Sequence, residues 1–69
     1  MKISARNQLK GKVVSIARGS VMAKVVVDIG GGNTITAAIT GDSVDELGLK
    51  VGSPVAAVIK ATEVMIAIP

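Results

Sequence analysis

Residues 21–40 read VMAKVVVDIGGGNTITAAIT, and this stretch decides the fold class. In its first half, Val21, Ala23, Val25, Val27 and Ile29 alternate with Met22, Lys24, Val26 and Asp28. A period of two sends successive side chains to opposite faces of a strand, which predicts a half-buried antiparallel strand here. Gly30, Gly31 and Gly32 follow, and glycine allows the positive φ values that a short hairpin loop requires. NTITAAIT at 33–40 then resumes the alternation, with Ile35, Ala37 and Ile39 on one face. A returning strand is the consequence.

Upstream, QLKGKVVSIA at 8–17 places Leu9, Gly11 and Val13 on one face but Val14 and Ile16 on the other. The apolar side therefore changes at Val13 and Val14, as it does at a bulge, and Gly11 eases the bend. Arg18, Gly19 and Ser20 supply the turn into the Val21 strand. Downstream the period lengthens. In GDSVDELGLKVG at 41–52, Val44 and Leu47 lie three apart, Ser43 and Glu46 have capping-box spacing, and Gly48 is positioned to end a helix of about two turns. After VGSP, the segments VAAVIKA and EVMIAI read as two final strands separated by KATE at 60–63. The expected class is all-β: a small five-stranded OB-like barrel with one short helix between strands 3 and 4. Another small closed or swapped β-barrel would satisfy the same alternation.

Sixty-nine residues allow one small domain with a modest core. The chain has no Phe, Trp or Tyr, and its apolar half is mostly Val, Ala and Ile, which bury less area than aromatic rings. Without Cys or His it has neither a disulfide nor the usual structural zinc site to compensate. Oligomerisation is the remaining staple, and a mean hydropathy of +0.61 points the same way. No basic leader runs into an apolar stretch and no run approaches the roughly 20 apolar residues of a membrane span, so a soluble cytoplasmic protein is expected, with no membrane partner. The net charge of +3 favours anionic partners, although the basic residues are scattered.

Enzyme chemistry is poorly provisioned. No His or Cys is present to titrate near neutrality or attack as a soft nucleophile, and Asp42, Asp45 and Glu46 are placed to complement the dipole at a helix start. The three glycines lack the Lys-Ser or Lys-Thr ending of a phosphate loop and read as a hairpin turn. Single-stranded nucleic acid is bound on many OB-type barrels by stacking on aromatic rings, and none exists here; only electrostatic contact through Lys10, Lys12, Arg18 and Lys24 would remain.

Two polar clusters stand out against this background. Ser4, Arg6 and Asn7 lie in ISARNQLK at 3–10, and Lys60 and Thr62 interrupt the apolar VIKATEV at 58–64. Each is separately explicable as exposed polar surface. Combined with backbone N–H groups at strand ends, they would form a donor-only pocket for a tetrahedral oxyanion. Such a pocket suits a fully deprotonated dianion, such as sulfate, molybdate or tungstate, better than phosphate, which retains a proton part of the time and wants an acceptor.

ISARNQLKGKV at 3–13, ITGDSVDELGLKVG at 39–52 and VIKATEVMIA at 58–67 resemble the molbindin, or Mop, family of small molybdate-binding proteins. The resemblance covers nearly the whole chain and implies a single oxyanion-binding domain over residues 1–69 with an OB-like fold. It further implies a homohexamer, a trimer of dimers, binding molybdate or tungstate at subunit interfaces for intracellular molybdenum storage or homeostasis, with no enzymatic activity and no catalytic cofactor. Carried over by position, Ser4, Ala5, Arg6 and Asn7 would form one half of the anion site and Lys60, Ala61 and Thr62 the other. Ser43 would add a hydroxyl donor, Asp42 would cap the helix, and no side chain would coordinate a metal directly. A molybdopterin ligand and a nucleic-acid-binding OB-type module are the alternatives.

Overall fold

A computed structural model describes residues 2–69 of the chain. Four strands, one helix and one 3-10 turn follow in order: β1 (Asn7–Arg18), β2 (Met22–Gly30), β3 (Asn33–Thr40), α1 (Gly41–Leu47), β4 (Pro54–Ile59) and the turn Ala61–Glu63. The strands form one antiparallel sheet in the order β3-β2-β1-β4.

β1 is the organising strand because it pairs on both sides. Its first half, Asn7 to Lys12, runs against Ile59 to Pro54 of β4, and its second half, Lys12 to Arg18, runs against Asp28 to Ala23 of β2. The register slips between Val13 and Ser15, where the change of apolar face predicts a bulge. Val13 is buried, whereas Val14 is turned outward. Gly11 lies where β1 crosses closest to β2: a Cβ there would collide with the carbonyl oxygen of Asp28 and come within 2.9 Å of Val27 Cγ1. Only a residue without a side chain fits.

The hairpin between β2 and β3 also follows the sequence. Gly30, Gly31 and Gly32 all have positive φ, and the Asp28 carboxylate accepts a 2.8 Å hydrogen bond from the Gly30 N–H. Ala23, Val25 and Val27 of β2 are buried as the alternation predicts, and they join Val13 of β1 and Val44 of α1 in the core. Ile16, Ile29, Ile39, Leu49 and Val55 pack around this centre only partly buried.

Helix α1 forms where expected, but its start differs from the reading of Ser43 and Glu46 as a capping box. Thr40 is the N-cap: it has extended backbone geometry, and its hydroxyl accepts the Ser43 N–H at 3.0 Å. Ser43 is thus the third residue of the helix and Asp42 lies in the first turn without capping it. The cap falls on Thr40 because β3 keeps its extended geometry through that residue and a cap must have non-helical φ and ψ. Gly48 closes the helix in the left-handed conformation at φ 63°.

The expected fifth strand is absent, and the sheet is a curled half-barrel of four. EVMIAI does not pair: beyond Glu63 the chain has no regular structure, and Met65, Ile66 and Ile68 are 91%, 88% and 88% exposed. Alternation reports that a segment suits a pleated surface, but pairing requires an edge within reach. β3 and β4 remain as two edges, so the barrel is open between them. The cost is visible in the dimensions. A compact monomer of this mass exposes about 4,000 Å², whereas this chain exposes 5374 Å². Its radius of gyration is 12.6 Å, against about 11 Å for a compact domain of this length.

Two substitutions test this packing. Gly11→Ala should lower unfolding free energy by about 2 kcal/mol through overpacking at the crossing, and Thr40→Ala by about 1 kcal/mol through loss of the helix cap. Denaturant titration at fixed protomer concentration reads both, and an unperturbed Gly11→Ala variant would contradict the close approach.

Candidate functional site

The pairing of β1 with β4 brings the two polar clusters together. Asn7 is the first residue of β1 and Ile59 the last of β4, and they are register partners. Arg6 and Lys60 are the next residues outward from that pair, so the two polar segments leave the sheet at the same corner. The Asn7 side-chain amide donates to the Ile59 carbonyl at 3.2 Å and ties the two strand ends together. Asn7 therefore acts first as a bridge, and its side-chain N–H is partly committed.

Around that bridge the other residues divide by exposure. Ala5 is buried, with its carbonyl accepting from Gln8 Nε2 at 3.3 Å, while Ser4, Arg6, Lys60, Ala61 and Thr62 are exposed. Gln8 clamps the backbone that carries Ser4 and Arg6. Its place inside ISARNQLK was the available signal, although a side chain closing onto a carbonyl three residues back is not visible from sequence. On the other strand, Lys60 is extended, and the turn Ala61–Glu63 is held by Glu63 N–H to the Lys60 carbonyl at 2.9 Å and Val64 N–H to the Ala61 carbonyl at 3.4 Å. The first N–H groups of such a turn have no acceptor within it.

Charge at the corner is uncompensated. Among the described residues the ion pair within 4.0 Å is Arg18–Asp45, so neither Arg6 nor Lys60 is neutralised by a carboxylate. Two cations on adjacent strand ends repel each other, and an anion between them would relieve the repulsion while accepting hydrogen bonds from both. No group of three or more metal-ligating side chains occurs among the described residues.

Ser43 is not brought to this corner within one chain. It sits at the entry of α1, with its hydroxyl 2.8 Å from that of Thr40, and Thr40 pairs with Met22 next to the far end of β1. Asn7 and Arg18 are the two ends of the 12-residue β1, roughly 36 Å of strand apart if straight. Thr40 is a second residue that sequence reading passed over; its signal is a Thr three residues before Ser43, the spacing of a helix cap. Beside these hydroxyls lies a polar hollow of about 440 Å³ whose one cation, Arg18, is already engaged by Asp45 at 2.9 Å and the Gly41 carbonyl at 3.1 Å. That engagement leaves the hollow poorly suited to hold an anion by itself.

A second concavity is different in kind. A groove of about 920 Å³ opens between the β3 and β4 edges, lined by apolar side chains including Val25, Ile35, Ile39, Val55 and Ile59. Arg6 and Lys60 do not line it, but Ile59 and Glu63 do, so one end of the groove abuts the polar corner. As a shallow, exposed surface the corner does not enclose a ligand alone.

Comparison with known proteins follows this geometry closely. Residues 3–66 match the TOBE domain family. The chain is 61% identical over 66 residues to "Molybdenum-pterin-binding protein 1" of Clostridium pasteurianum, covering 96% of this chain and 97% of that one. Its fold is similar to that of MopII from Clostridium pasteurianum, with a TM-score of 0.90 at 58% identity over 97% of this chain and 100% of the other. It is also similar to ModG, described as a cytoplasmic molybdate-binding protein and solved with molybdate bound, with a TM-score of 0.94 at 45% identity over all of this chain and 49% of that one. The chain belongs to the TOBE-domain family, within its branch of small molybdenum-pterin-binding (Mop) proteins.

Proposed function

We propose that this protein binds molybdate, with tungstate fitting the same donors, at the corner formed by Ser4–Asn7 and Lys60–Thr62, and that it does so as a homo-oligomer serving cytoplasmic molybdenum storage or homeostasis without catalysis. The observation that carries this reading is the register pair Asn7 and Ile59, which sets Arg6 and Lys60 on neighbouring strand ends with no carboxylate paired to either among the described residues. Relatives named for molybdenum-pterin and molybdate binding support the choice of anion. The absence of an aromatic stacking surface speaks against the nucleic-acid alternative. No helix of the described residues is long and apolar enough to cross a membrane.

Assembly is part of the same reading. The chain exposes roughly 1,400 Å² more than a compact monomer, enough for a standard-sized interface of about 800 Å² per partner. An unpaired apolar segment and an apolar groove are both present on that surface. Residues 64–69 are apolar and unpaired, and the groove between β3 and β4 is apolar with two open edges. An exposed strand-like segment beside an open sheet edge is the arrangement that pairs between copies. A hexamer built as a trimer of dimers is the assembly we propose. Within that assembly we assign Ser43 to the corner of a second copy, since its own chain holds it at the other end of β1.

Isothermal titration of anion-stripped protein with molybdate, with sulfate and phosphate as controls and native mass on the same sample, tests the reading. Selective, micromolar or tighter binding to an oligomer is the expected outcome; no heat with molybdate would overturn it. A pterin competing for the bound molybdate would point to the molybdopterin alternative. Arg6→Ala and Lys60→Ala should each weaken binding tenfold or more, since a charge-assisted hydrogen bond is worth about 1.5–3 kcal/mol. Ser43→Ala should cost less, about fivefold, as a neutral donor worth about 1 kcal/mol. Arg18→Ala, which loses an exposed ion pair to Asp45 and an exposed hydrogen bond to the Gly41 carbonyl, should leave affinity within about twofold and stability within about 1 kcal/mol.

A further inference from the structure

At the corner that carries Arg6 and Lys60, backbone carbonyl oxygens are occupied from within the chain. The Ile59 carbonyl accepts the Asn7 side-chain N–H at 3.2 Å, the Lys60 carbonyl accepts the Glu63 N–H at 2.9 Å, and the Ala61 carbonyl accepts the Val64 N–H at 3.4 Å. On the β1 side, the Ala5 carbonyl accepts Gln8 Nε2 at 3.3 Å. An oxyanion without a proton of its own is repelled by a bare carbonyl oxygen, whereas one that keeps a proton can donate to it.

Three of these bonds come with the fold itself. Asn7 is the register partner of Ile59, and the other two close the turn Ala61–Glu63. Gln8 is different: it is an exposed residue of β1 whose side chain reaches back out of the strand to a carbonyl three residues earlier. Among the described residues, this is the hydrogen bond that ties the segment before Asn7 to the strand. Ala5 is itself buried, so its Cα is anchored while the peptide that follows it keeps its orientation through Gln8. In a trans peptide the C=O of one residue and the N–H of the next point in opposite directions. Holding the Ala5 oxygen therefore also fixes the direction of the Arg6 N–H.

We infer that Gln8 is a positioning residue that sets anion specificity: by holding the Ala5 carbonyl it keeps an acceptor out of the corner, and so discriminates against oxyanions that carry a proton. The inference rests on the reading of the corner as an oxyanion site, and Gln8 acts through the backbone without touching the anion. With its amide removed, the Ala5–Arg6 peptide is free to turn its oxygen toward the corner. That oxygen opposes a fully deprotonated anion and accepts from a protonated one. A corner that is merely loosened loses affinity for both alike.

Titration of the full chain with molybdate, with sulfate and phosphate as competitors, separates these cases. In mildly alkaline buffer inorganic phosphate is mostly a dianion that keeps one proton, so it matches sulfate in charge and differs from it by a donor. Gln8→Met keeps a side chain of similar length without the N–H. Its preference for molybdate over phosphate should fall about fivefold, the worth of one neutral hydrogen bond, while its preference for molybdate over sulfate stays as it was. Gln8→Lys restores a donor and should return the molybdate-to-phosphate ratio toward that of the unmodified protein, because its added charge favours each dianion alike. A folded Gln8→Met variant whose two preferences are both unchanged, or fall together, overturns the inference; so does a Gln8→Lys variant that behaves as Gln8→Met. If Gln8→Met does not fold by circular dichroism, Gln8→Glu, which sets an acceptor against the same carbonyl, takes its place with the same expected change. If the unmodified protein binds no molybdate, it is the functional reading that fails.

Discussion

The double pairing of β1 is the interaction on which the rest of the structure depends. One strand of 12 residues serves β4 with its first half and β2 with its second, which is possible only because it bends at the Val13–Ser15 bulge and crosses β2 at a glycine. The bend turns a flat sheet into a half-barrel, with Val13 at its centre facing Val25, Val27 and Val44. It also sets the β4 register. That register, in turn, brings Arg6 and Lys60 out at the same corner, so the geometry of the core and the geometry of the candidate site share one cause.

A core of valine and alanine around this bend is thin. Five residues form its fully buried cluster, all of them Val or Ala, and the β3 side chains that point inward remain half exposed because nothing covers the open side. A larger side chain could fill more of the gap from within, but the chain has no aromatic ring to do so. The apolar area that would complete the barrel is present in the same chain, at residues 64–69, and it projects away from the sheet. An incomplete barrel and an unpaired apolar segment are complementary: in the assembly proposed above, each would lower its exposed area by meeting the other in a second copy.

The candidate anion site lies on the turn between those two features. Small oxyanions offer little surface for hydrophobic contact, so recognition must come from converging donors, and convergence costs entropy unless the backbone is already held. Here the Asn7 amide and the Gln8 side chain hold one side of the corner, while the turn on the other side is left loosely closed.

Much of the local structure was legible in the sequence. The alternation from Val21 to Ile29, the glycine hairpin and the resumed alternation to Thr40 are short-range signals, and β2, the turn and β3 form where those residues dictate. The change of face at Val13 and Val14 foretold the bulge for the same reason. The helix was legible too, although its cap was not, because whether Thr40 or Ser43 leaves the helical conformation depends on how far β3 pairs. Both polar clusters were visible as residue types, yet their meeting depends on a register between positions 7 and 59, some fifty residues apart, which no local period encodes. EVMIAI shows the limit most plainly. Its composition determined that it is fit to be a strand; only the tertiary structure, by leaving it no edge to pair with in its own chain, decided that it stands apart, because a strand is defined by its partner as much as by its residues.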